Sequence, residues 1–138
     1  MSAIKRLLPA LLLIAVLASC SPMRLVNRTR GQVYSRDVPI AIMPFYDASD
    51  HGNLELYKQL ERAGFDIVTY YSKRTDNQYI LEIACTLDPE TRDTYTTFTA
   101  TLSDGETGKV FMRAIQRRPR DSRATMRDLV KKIKRVLK

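Results

Sequence analysis

The stretch Gln78 to Leu87 alternates strictly: Tyr79, Leu81, Ile83, Cys85 and Leu87 share one side, while Ile80, Glu82, Ala84 and Thr86 share the other. Side chains of period two point to opposite faces of a strand, so this strand buries one face and shows the other to water. A half-buried strand needs neighbours along its edges and a cover over one face. Downstream, Asp88 to Asp93 turns the chain, and Thr94 to Leu102 alternates Thr with Phe98, Ala100 and Leu102. Ser103 to Gly108 turns it again into Lys109 to Gln116. The three strands form an antiparallel meander.

The carboxyl terminus supplies the cover. Ser122 can cap a helix whose apolar positions Met126, Leu129, Val130, Ile133, Val136 and Leu137 fall in one arc of about 120°. Arg123, Arg127, Lys131, Lys134, Arg135 and Lys138 fall on the far side. One face packs on the sheet, and the other is strongly cationic.

Upstream of the meander, Val38 to Tyr46 is a nearly continuous apolar run, the pattern of a strand buried on both faces, with Pro39 tolerable at its start. After the loop Asp47 to Asn53, Leu54 to Ala63 sets Leu56, Leu60 and Ala63 at helical spacing. Gly64 stands where a left-handed cap belongs, and Phe65 to Tyr71 is a second strand. Strand, helix and strand joined by short links make a right-handed βαβ unit with parallel strands. The expected fold is α/β (an α+β sandwich). A βαβ unit, a three-stranded antiparallel meander and a carboxyl-terminal amphipathic helix share one mixed sheet. At 138 residues there is room for one domain.

Ahead of the domain, Lys5 and Arg6 precede an apolar run from Leu7 to Leu17, which ends in Ala18 and Ser19. This is secretory signal architecture. The run is too short for a membrane span, which needs about twenty apolar residues, and Pro22 ends any helix. The junction Leu17-Ala18-Ser19-Cys20 resembles the lipobox of bacterial lipoproteins. That resemblance implies that Cys20 is diacylated and becomes the new amino terminus. Ser21, standing where an inner-membrane retention signal would put Asp, implies sorting to the periplasmic face of the outer membrane. Residues 1–19 are then a signal peptide and residues 20–36 a lipidated tether. That segment carries Arg24, Arg28, Arg30 and Arg36 and also reads as an edge strand. Residues 37–138 are the domain. One thiol remains, Cys85, so the domain holds together without an internal disulfide.

Three strings in this frame resemble the small α/β domain shared by the TolB amino-terminal domain, CsgG and LpoB. They are Ile40-Ala41-Ile42-Met43-Pro44-Phe45, the run Leu60 to Val68 (LERAGFDIV), and the run Leu102 to Val110 (LSDGETGKV). The resemblance implies the same fold in a cell-envelope setting. It carries no catalytic motif, and it lacks the CsgG pore insertions and LpoB's long Pro-rich tether.

Composition narrows the chemistry further. One His and two Cys cannot close a four-ligand zinc site without carboxylates, and five scattered Gly leave no phosphate-cradling loop. Asp47, Asp50 and His51 share a loop at the carboxyl end of the first strand, where open α/β sheets bind ligands. The same residues also suit a helix-capping loop. Asp104 to Gly108 reads as a hairpin turn, since the calcium-loop spacing is absent. Cys85, in phase with Leu81 and Ile83, reads as core. Tyr70, Tyr71, Tyr79 and Tyr95 suit either an aromatic surface or half-buried strands.

The charge is lopsided. Residues 112–138 hold eleven Lys and Arg against two Asp, whereas residues 20–111 hold ten basic and thirteen acidic residues. A signal peptide removes nucleic acid as the partner of that tail, and leaves phospholipid headgroups, lipopolysaccharide phosphates or an acidic protein. The expected function is a non-enzymatic envelope lipoprotein, a binding accessory module with neither cofactor nor metal, anchored in the bilayer by Cys20. Its candidate face is Arg123, Arg127, Lys131, Lys134, Arg135 and Lys138. The alternatives are a hydrolytic or metal-dependent enzyme centred on Asp47, Asp50 and His51, and a passive structural lipoprotein. Nothing in the sequence sets the oligomeric state.

Overall fold

In the computed structural model, which describes residues 23–28, 31–45, 51–71, 77–118 and 120–138, the alternating strand becomes β4 (Tyr79–Leu87), an inner strand of a seven-stranded mixed sheet. The elements before it are β1 (Arg24–Arg28), β2 (Ile40–Ile42), α1 (His51–Arg62) and β3 (Ile67–Val68). After it come β5 (Thr94–Asp104), β6 (Val110–Gln116), β7 (Arg120–Asp121) and α2 (Ser122–Val136). The strand order is β1-β6-β5-β4-β2-β3, with β7 on β5. β2 pairs in parallel with both β3 and β4, and β4, β5 and β6 form the antiparallel meander. The α/β class and the single mixed sheet are as expected.

Register explains which side is buried. Leu81 faces Leu102, which faces Met112, and Ile83 faces Ala100, which faces Ala114; all six are buried. Leu56 and Leu60 of α1, and Met126, Leu129 and Ile133 of α2, join the same core. Both helices therefore cover one face. On the other face, Glu82 opposes Thr101, which opposes Arg113, and Ala84 opposes Thr99, which opposes Ile115. Glu82, Ala84 and Arg113 are exposed there.

The α1–β3 junction follows from Gly64. Gly64 N–H donates to the Glu61 carbonyl at 2.9 Å and Phe65 N–H to the Leu60 carbonyl at 3.1 Å. This is a Schellman cap, completed by contact between the apolar residues that flank it, and it requires the left-handed φ of +84° found at Gly64. The guanidinium of Arg36 donates to the Ala63 carbonyl and lies 5.0 Å from the Phe65 ring centroid.

Four expectations are corrected. The domain starts before Asp37: β1 pairs antiparallel with β6, and Met23 is 1% exposed within the core. The edge-strand reading of that segment holds for Arg24–Arg28. The cap of α2 is Asp121, whose carboxylate accepts from Ala124 N–H at 2.8 Å, because Ser122 is turned inward. Its hydroxyl donates to Asp93 Oδ1 at 3.0 Å and its N–H to the Asp93 carbonyl at 2.9 Å. Leu137 and Lys138 lie outside the helix. Leu137 is extended (φ −90°, ψ 124°) and buried, and forms a parallel bridge with Tyr34. Finally, β2 and β3 are shorter than the apolar runs that announce them, and α1 starts at His51 rather than at Leu54.

Candidate functional site

Helix α2 is oriented by everything beneath it. Ala124, Thr125, Met126, Leu129, Val130, Ile133 and Val136 are buried, and Thr125 donates to Gln116 Oε1 at 3.0 Å below the helix. The Asp121 cap, the Ser122–Asp93 bonds and an ion pair between Arg120 and Asp128 fix its amino-terminal end. Rotation about its axis is therefore set, and Arg123, Arg127, Lys131, Lys134 and Arg135 are all exposed on the outer side. Lys138 is exposed too but sits past the helix end, where its carbonyl accepts from Arg36 N–H at 3.0 Å. Among the described residues no ion pair ties these cations to a carboxylate.

The two ends of the stripe differ in energy. Lys134 and Arg135 stand in the last turn, where the helix dipole favours cations, but the first turn holds Arg123 and no acidic residue. Cations there work against the dipole by roughly 0.3–1 kcal/mol. Arg123 thus weakens the fold slightly at the place where an Asp or Glu would strengthen it.

The remaining candidates fall as follows. Cys20, Asp47 and Asp50 lie outside the described residues, as does the side chain of His51, whose backbone opens α1. Behind that loop, Asn53 Nδ2 donates to the Phe45 carbonyl at 3.2 Å. Cys85 is half-buried against the core. The four tyrosines do not converge: Tyr79 and Tyr95 are core residues, Tyr70 is half-buried and Tyr71 is exposed. Asp104 forms a turn, its carboxylate accepting from Glu106 and Thr107 N–H at 2.9 Å each, with Gly108 at a φ of +73°. Among the described residues, no group of three His, Cys, Asp or Glu is placed to hold a metal, and no helix is long and apolar enough to cross a membrane.

Two hollows among the described residues bear on the site. One of about 280 Å³ lies on the uncovered sheet face among Glu82, Ala84, Thr99, Thr101, Val110 and Arg113. The other, about 270 Å³, lies at the carboxyl ends of β2 and β3 beside Tyr57 and Glu61 of α1. The sequence does not point to the first, because its row is assembled from three strands by register alone.

No protein-family model matches the chain, and no curated protein matches its sequence. Among solved structures, it is similar to the PelC dodecamer from Paraburkholderia phytofirmans, with a TM-score of 0.53 and 18% identity over 83% of this chain and 96% of that one. A point variant of the same PelC dodecamer in another crystal form gives the same TM-score and identity over 80% of this chain and 92% of that one. What this chain shares with PelC is the fold.

Proposed function

We propose that the chain is a non-enzymatic accessory protein of the bacterial cell envelope, held on a membrane by acylated Cys20 and acting through the outer face of α2. The observation that carries this reading is the stripe Arg123, Arg127, Lys131, Lys134 and Arg135: five exposed cations on a helix whose other side is core, one of them placed against the helix dipole. A solvated helix needs polar residues of either sign, whereas this one keeps a single sign along its exposed length. Its partner is anionic, an acidic protein surface or phosphorylated headgroups. The Leu17 to Cys20 junction supports the anchor, and the order of elements supports kinship with the TolB, CsgG and LpoB type of domain.

The test is crosslinking in living cells from a photoreactive residue at Lys131, in the parent and in a variant with Arg127, Lys134 and Arg135 changed to Gln. The reading expects one dominant crosslinked species that is lost in the variant. Identical crosslinking in both would set the reading aside.

Self-association is a second reading. The similar PelC structures are dodecamers, and the Glu82-Thr101-Arg113 row leaves a sheet face that no described element of this chain covers. Light scattering of the detergent-solubilised protein decides it, since a monomeric mass discards it.

A further inference from the structure

We infer that one end of the sheet, the corner where β1 begins and β6 ends, rests on the phospholipid headgroups of the anchoring membrane, with Arg24, Arg117 and Arg118 against their phosphates. The inference rests on the acylation of Cys20 proposed above and adds the orientation of the domain.

The argument is one of length. Met23 is 1% exposed and belongs to the core, so the folded body already includes that residue. Only Ser21 and Pro22 separate it from Cys20. Three residues of chain reach at most about 11 Å even when fully extended. Acyl chains on Cys20 would end at the base of the headgroup layer, which is itself roughly 5–8 Å thick. A buried core residue therefore sits at the membrane surface.

Strand pairing says which part of the body that is. Arg24 pairs with Ile115, so Met23 lies beside Gln116, and Arg117 and Arg118 follow directly. Arg24, Arg117 and Arg118 are all exposed. Among the described residues, the carboxylates at this end of the sheet lie across it, towards β5 and β7. Asp88 accepts from Glu90 N–H, Asp93 from Ser122 and Asp121 from Ala124 N–H. Glu90, in the same turn, is exposed. The corner nearest the anchor is thus the cationic one. Each Arg held within a Debye length of an anionic leaflet strengthens attraction about fivefold, and a link this short holds all three there.

The same geometry divides the α2 stripe. Asp121 pairs with Thr94 at the anchored end, and the fifteen-residue helix then climbs about 22 Å. Arg123 starts near the bilayer, whereas Lys134 and Arg135 are carried away from it.

The experiment uses the full-length protein, purified acylated and reconstituted into vesicles containing phosphatidylglycerol, with Cys85→Ala removing the other thiol. A fluorophore is attached through Thr97→Cys, next to the anchored corner, or through Glu106→Cys in the opposite turn. Along β5 the two sites are separated by at least seven residues, about 24 Å. A quencher carried on lipid headgroups should extinguish most of the emission at 97 and little at 106. Changing Arg24, Arg117 and Arg118 together to Gln should narrow that difference, as should raising the salt concentration. Intact mass without acyl chains would overturn the anchor and this inference together. Acylated protein quenched equally at both sites, or a triple variant with the parent's full difference, would overturn this inference alone.

Discussion

The ring of Tyr34 lies on that of Phe111, with centroids 3.8 Å apart and 10° between the planes. Tyr79 meets both edge-on, at 6.3 Å from Tyr34 and 5.0 Å from Phe111. The Tyr34 carbonyl accepts from Lys138 N–H at 3.0 Å, so Tyr34 joins the segment before β2 to the sheet and to the residues that follow α2. Phe111 is 1% exposed, and Phe111→Ala should cost about 3–5 kcal/mol in denaturant unfolding. A double-mutant cycle with Tyr34→Ala should return a coupling of roughly 0.5–1.5 kcal/mol, the increment of an aromatic pair beyond area burial. Strict additivity would mean that the stacking contributes nothing.

Burial raises the Tyr79 hydroxyl above its ordinary 10.0; a hydrogen bond from the Ser35 backbone opposes this, and Asp104 and Tyr34 add to the rise. A group whose folded pKa is raised binds its proton more tightly in the folded state. Its contribution is full below pH 10 and is lost as pH rises through the folded value. The parent should therefore lose stability above pH 10 more steeply than Tyr79→Phe, as read from urea midpoints across the alkaline range. Parallel curves would show that the phenol titrates alike in both states.

The two sides of α2 should separate stability from binding. Ile133 is fully buried, and Ile133→Ala should cost about 2–5 kcal/mol. Arg123→Glu places an acid in the first turn and should stabilise by roughly 0.3–1 kcal/mol while weakening attachment to an anionic partner. Thermal unfolding together with a salt-dependent binding assay checks both. A variant that is no more stable than the parent would remove the dipole argument.

The turns at Asp88 and Asp104 are built alike. Arg92 N–H donates to the Asp88 carbonyl at 2.9 Å and Gly108 N–H to the Asp104 carbonyl at 2.8 Å, with φ at +54° and +73°. Only the second turn uses glycine. Arg92→Gly should relieve left-handed strain and stabilise by up to about 1 kcal/mol, and Gly108→Ala should destabilise by about as much. Melting temperatures of the pair give the test, and a destabilised Arg92→Gly would contradict it.

Elements with a local period are legible in the sequence. The β4 alternation, the α2 arc and the Gly64 cap each depend on residues a few positions apart, and each is found where the pattern places it, except that Leu137 of the arc lies past the end of the helix. What depends on distant residues is not legible. Asp121 and Ser122 are both capping residues and neighbours, and the choice between them is made by Asp93, twenty-nine positions from Ser122. The Tyr34–Leu137 bridge has no local signature. β1 is obscured by its register shift between Leu25 and Asn27, which breaks the alternation that would have announced a strand. Of the candidate site, the cationic stripe follows from helical period alone, but the placement of Arg24 beside Ile115 required the pairing of β1 with β6.

The bridge between Tyr34 and Leu137 also sets a schedule for folding. The segment before β2 is synthesised well ahead of its backbone partners, Leu137 and Lys138. Until those residues are delivered, Tyr34 and Arg36 lack the strand that fixes them, and the core lacks Leu137. Closure of the amino-terminal segment onto the core therefore waits for the residues that follow α2.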